Sequence, residues 1–273
     1  MAIKGFNKVG GDTRGSLYNW TALGGGAYSW FWPSQFSAVA GDLDNAATAL
    51  GAGLSAAAAS IEAASNQFKQ AVDVERVAAE ACSRYCGPGF RAVRQAAIAE
   101  RTAVANVRWS LKQPVEASAT PNSTAVDAIQ RAEIRQTLLR EFGTDLGAAF
   151  KWVMESQGLD VFNAIVPAID RTIFVKDKQL SDLLADEFAI RKTAKFMPND
   201  PSDKFSTPAD PLRNRMSDES MRIIAKGKVE QIKLREESVG YAAKLLDATI
   251  KFTMQSANLS DTQSLDLLMG NPA

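Results

Sequence analysis

The sequence predicts an all-α fold: long helices forming an elongated bundle or coiled-coil-like hairpin, a smaller helical subdomain, and an irregular aromatic N-terminal arm. Three observations predict it. Alanine and other strong helix formers dominate residues 34–112, as in Ala56-Ala57-Ala58-Ala59. Apolar residues there and in 217–258 recur three and four positions apart, the spacing of one helix face. The longest strand-like run, Arg171-Thr172-Ile173-Phe174-Val175, is only a few residues long.

Residues 1–33 hold few helix formers and many glycines and aromatics, among them Tyr18, Trp20, Tyr28, Trp30, Phe31 and Trp32. This reads as a loop or extended arm. Its aromatic side chains need a core elsewhere, in their own helices, in a partner or at a membrane interface. From Ser34 or Ser37, either of which can cap a helix, the chain turns helical. A seam runs through Ile61, Ser65, Phe68, Val72, Glu75, Ala79, Cys82 and Cys86, and resumes at Phe90, Val93, Ala97, Glu100, Val104, Val107 and Leu111. The step from Cys86 to Phe90 is four where three is due, a stutter in the repeat. Gly87-Pro88-Gly89 coincides with it, and a proline between two glycines breaks or kinks a helix. Two rods joined by a hinge or a tight reversal at Gly87, Pro88 and Gly89 are therefore expected.

Residues 113–124 (QPVEASATPNST) read as a linker, and Thr124 with Asp127 as a helix-start box. Residues 125–196 form the small helical subdomain, with Gly143 and Gly158 as punctuation and Pro167 as a kink. Residues 197–216 are a proline-rich loop. A long helix over 217–258 follows, with the stripe Met221, Ala225, Val229, Ile232, Glu236, Val239, Ala243, Leu246, Ile250, Met254 and Ala257. Asn258 ends it, and 259–273 is a short tail.

Composition narrows the function. The chain of 273 residues has 31 basic and 31 acidic side chains, so no net field draws it to nucleic acid or an anionic membrane. It has no histidine, which removes the usual zinc hydrolases, Ser-His-Asp hydrolases and Cys-His proteases. No Walker-type phosphate loop and no dinucleotide fingerprint is present. Neither a catalytic residue nor a metal or cofactor site is singled out, and an enzyme is not expected. The two cysteines, Cys82 and Cys86, stand one helical turn apart, poorly placed for an unstrained disulfide. They read as small buried thiols, with a redox pair or half a metal site as the alternatives.

Two features point to partners. Arg94, Arg101 and Arg108 recur every seven residues down one face, beside the seam. They suit salt bridging to an acidic helix, for which 159–187 of this chain or a neighbour could serve, a solvated face, or a phosphate-tracking surface. Gly41, Ala49, Gly51, Gly53 and Ala57 allow close helix approach, and membrane contact through 18–64 is a further expectation, although Asp42, Asp44 and Glu62 oppose a conventional span. The segment 20–36 is too short and broken to cross a bilayer as one helix, and no signal-peptide core follows Lys4, Lys8 and Arg14.

An aromatic arm, hinged alanine-rich rods, a helical insert and no catalytic constellation suit assembly better than turnover. The layout resembles the helical, alanine-rich ejection proteins of phage. What that resemblance implies is a structural subunit in the virion, internal, ejected or tail-connecting, whose partners are its own copies and other subunits. A pilus- or tip-associated subunit of a secretion or conjugation apparatus is the alternative, although most of those carry a signal peptide. A nucleic-acid-binding module is the third reading.

Overall fold

The computed structural model describes residues 3–12, 14–22, 27–115, 121–156, 158–196 and 218–271. It is predominantly helical, as the sequence predicts, and divides into two compact units. Unit 1 comprises residues 1–104 and 232–273, and unit 2 residues 105–231.

Unit 1 begins with a correction to the sequence reading. The N-terminal segment is extended but not irregular: β1 (Ile3–Asp12), β2 (Gly15–Ala22) and β3 (Ala27–Pro33) form an antiparallel meander in the order β1-β2-β3. The register of β2 on β3 pairs Ser16 with Trp32, Tyr18 with Trp30 and Trp20 with Tyr28. Successive strand residues point to opposite faces, so this register gathers Tyr18, Trp20, Trp30 and Trp32 on one face. Aromatics two positions apart, at 18 and 20 and at 28, 30 and 32, carried a period-2 strand signal that the surrounding glycines obscured.

That face packs on helices α1 (Gly41–Gln67) and α8 (Asp218–Ala257). Between α1 and α2 (Ala71–Ala81) the chain reverses at residues 68–70, where Phe68 and Gln70 are extended. The hinge expected at Gly87, Pro88 and Gly89 is absent. The helical path continues from α2 through a π-type turn, Cys82–Cys86, without a break into α3 (Gly87–Lys112). The Gly87 N–H reaches back five residues to the Cys82 carbonyl, and this widened turn takes up one extra residue. The stutter at Cys86–Phe90 was that extra residue. The glycines serve packing instead of bending. A Cβ on Gly89 would lie 2.8 Å from Leu50 Cα, and one on Gly53 would collide with the Tyr85 carbonyl oxygen. These crossings, 50 against 89 and 53 against 85, make α1 antiparallel to the α2–α3 rod.

The seams hold in part. Phe90, Val93, Ala97 and Val104 are buried as expected, but in α2 the buried positions are Val74, Ala78 and Ala81, not Val72, Glu75 and Ala79. The break at 68–70 resets the helix phase, so a seam carried across it lands on the wrong face. In α8 the expected stripe runs true at Ala225 and Val229, then slips by one. Ser238, Ala242, Leu245, Thr249, Phe252, Thr253 and Ser256 face the core, with Ala257 beside them. The hydroxyls of Thr249, Thr253 and Ser256 donate to the carbonyls four residues earlier (2.9, 3.0 and 2.6 Å), so their burial leaves no donor orphaned. Asn258, at φ 55°, terminates α8. The tail is helical too: α9 (Asp261–Met269) starts on a reciprocal Ser260–Gln263 capping box and ends at left-handed Gly270.

Unit 2 contains α4 (Pro121–Phe142), α5 (Leu146–Glu155), α6 (Leu159–Ile165) and α7 (Lys178–Phe196). Proline in the first helical turn moves the start of α4 ahead of the Thr124–Asp127 box. Pro167, expected to kink one helix, instead lies just past the end of α6 at Ile165, and Val166–Arg171 and Ile173–Lys176 follow as 3₁₀ turns. The strand-like run 171–175 therefore coils. Its apolar member Phe174 is buried with Leu138, Val153, Phe162, Ile165, Leu184 and Phe188. The proline-rich loop 197–216 lies outside the described residues, as do 116–120 of the linker.

Candidate interaction surfaces

Three of the five arm aromatics expected as anchors, Trp20, Trp30 and Trp32, lie in their own core. Trp20, Trp30 and Trp32 are buried, as is Tyr18, whose ring stacks on Trp30 at 4.2 Å and lies over Gly51. Trp20 meets Phe252 edge-on, Trp32 meets Phe36, and Phe36 meets Tyr241. The Trp32 indole N–H donates to Asp44 Oδ1 at 2.7 Å, tying β3 to the first turn of α1. Truncating one such buried aromatic ordinarily costs about 3–5 kcal/mol, so lifting the whole face off its helices would forfeit most of a domain's stability. Of the expected anchors only Phe31 is partly exposed, and the Tyr28 side chain lies outside the described residues.

The arginine row divides. Arg94 and Arg101 are exposed and make no ion pair among the described residues. Arg108 donates to Asp186 Oδ1 at 3.0 Å, with both side chains largely buried. This is the acidic-helix reading for one member of the row, with α7 of the same chain as the partner. Glu100, the charged member of the seam, is held in a two-pronged pair by Arg235 of α8. That hydrogen bond raises the Arg235 pKa above its ordinary value. A seam carboxylate is thus a lock between α3 and α8 within unit 1.

Gly87, Pro88 and Gly89 carry no hinge, and Arg91 secures the region by donating to the Leu268 carbonyl of α9 at 2.8 Å. Cys82 and Cys86 are buried free thiols within the π-type turn. The hydrogen bond with Cys82, burial and the neighbouring charge together push the Cys86 pKa well up, which keeps the thiol protonated and unreactive. No group of three His, Cys, Asp or Glu side chains that could hold a metal occurs among the described residues. By length and composition α1 is apolar enough to cross a bilayer, but Leu43, Leu50, Leu54 and Ile61 are buried against their own chain.

What the sequence reading missed is the surface of unit 2. Trp109 on α3 is 68 % exposed, Ile129 on α4 is 60 % exposed and Ile223 on α8 is 65 % exposed. The signal was present in α4, where apolar and charged residues are spread around the helix so that one face cannot bury them all. No protein-family model matches the chain, and no curated protein or solved structure matches it at a significant level.

Proposed function

We propose that the protein is a non-catalytic subunit of a larger assembly, a phage virion component of the internal, ejection or tail-connecting kind. The observation that carries this reading is the set of large apolar side chains presented by unit 2, with Trp109 foremost. Scattered exposed apolar residues are common, but an indole exposed over two thirds of its surface is the type of anchor that interfaces use. Unit 2 is favoured for the interface because Tyr18, Trp20, Trp30 and Trp32 are occupied in their own core.

Copies of the chain are the first partners to test. Light scattering across a concentration series should give a defined multimer, and Trp109→Asp or Ile223→Asp should convert it to single chains with unchanged helical circular dichroism. A chain that stays monomeric at the highest concentration reached overturns the reading. Capsid, portal or tail genes beside its own would bear on the virion assignment in particular.

A further inference from the structure

We infer that unit 2 contains a binding site for an amphiphilic organic anion, a carboxylate or phosphate joined to a short apolar body. The second half of α4 and residues 171–176 of the 3₁₀ turns line a half-open cavity of about 440 Å³. That volume lies within the range of roughly 300–1,000 Å³ common to small-molecule sites. Its floor and wall are apolar, with Leu138, Leu139 and Ile173. Its charged members are Arg135, Arg171 and Lys176, and no carboxylate lines it.

Three cations around one cavity repel one another unless something neutralises them. Among the described residues the one acidic contact to these three is Asp170 to Arg171 at 3.9 Å, between two side chains more than two thirds exposed, where an ion pair contributes little. Arg135 donates one Nη1 hydrogen bond to the Ala164 carbonyl at 2.8 Å, which holds its head in place without cancelling its charge. Burial, with the positive charges of Arg131 and Arg171 beside it, lowers the Arg135 pKa. An anion entering here would relieve that repulsion and accept charge-assisted hydrogen bonds. The apolar wall decides the rest of the ligand. A bare inorganic anion would leave Leu139 and Ile173 in contact with water, whereas a hydrocarbon or ring attached to the anion would cover them.

Titration calorimetry of the whole chain with octanoate and octyl phosphate tests the site, with octanol and inorganic phosphate as the two half-ligands. One saturable site per chain is expected for the amphiphiles, weakening as salt rises. Each of Arg171→Gln and Lys176→Gln should reduce affinity about two- to fivefold, the range that an exposed ion pair supplies. Both residues are solvent-exposed, so the fold should survive, and without ligand each variant should melt no lower than the parent since it loses a repelling charge. Vesicles of phosphatidylglycerol distinguish the sources: binding lost in both variants identifies a lipid headgroup, and binding confined to monomeric octyl phosphate identifies a soluble ligand. No saturable binding, affinity unchanged in both variants, or octanol or inorganic phosphate binding as tightly as octyl phosphate would each overturn the proposal.

Discussion

The two units solve the same packing problem with different chemistry. Unit 1 brings backbones together through small residues, roofs the contact with Tyr18, Trp20, Trp30 and Trp32, and buries hydroxyls that bond to their own helix. Unit 2 fills its centre with Phe162, Phe174 and Phe188 and adds a charge network at their edge. In that network buried Glu187 accepts from Arg191 Nε and Arg222 Nη2, each at 2.7 Å. Arg191 also donates to the Ser156 and Met154 carbonyls and lies over the Phe162 ring at 4.3 Å. The difference teaches where each unit is vulnerable. Unit 1 fails when volume is added at a close crossing, and unit 2 fails when one partner of a buried pair is removed.

The largest effect should come from Glu187→Ala. It strands Arg191 without its counter-charge beside an aromatic core, at a cost of about 3–5 kcal/mol. Urea unfolding would show this as a shifted midpoint, and Glu187→Gln should recover part of it by keeping an acceptor. A change below about 1 kcal/mol would erase the distinction between the units. Next comes Gly89→Val, which forces α3 away from Leu50 and should cost about 1–3 kcal/mol, as overpacking does. The same substitution at Gly227, where a Cβ would meet nothing within 4 Å, is the control and should change stability far less. The smallest effect sharpens the account of buried hydroxyls. Ser264 is buried and its Oγ has no hydrogen-bond partner among the described residues, unlike Thr249 and Thr253. Ser264→Ala should therefore be neutral or stabilising by up to about 1 kcal/mol, while Thr253→Ala should destabilise. Thermal melts of the two variants check this directly, and equal losses would mean that the local hydroxyl bonds are irrelevant.

Much of this was readable in advance because it is local. Helix formers over 34–112, the left-handed stop at Asn258, an irregularity at Pro167 and the phase of Phe90, Val93 and Ala97 all depend on a few neighbouring residues. The extra residue near Cys86 was visible as a stutter, although Gly87-Pro88-Gly89 disguised a π-type turn as a hinge. The candidate surfaces were less legible. Arg108 has its acidic helix, but nothing in the spacing of Arg94, Arg101 and Arg108 distinguishes the member that meets Asp186 from the two that face solvent. The cavity cations come from α4 and from a turn some 35 residues later, so no motif window contains them together.

Taken alone, then, the amino-acid order settled the helical class, some helix ends and the absence of histidine chemistry, since propensity, capping and composition act within a turn or two of chain. Tertiary contact decided which face of α8 went inside, whether the aromatic arm was tether or core, and which cations were paired. Those outcomes rest on free energies summed over residues far apart in sequence. A serine that bonds to its own helix can then occupy a core position that a more apolar neighbour would have claimed by hydropathy.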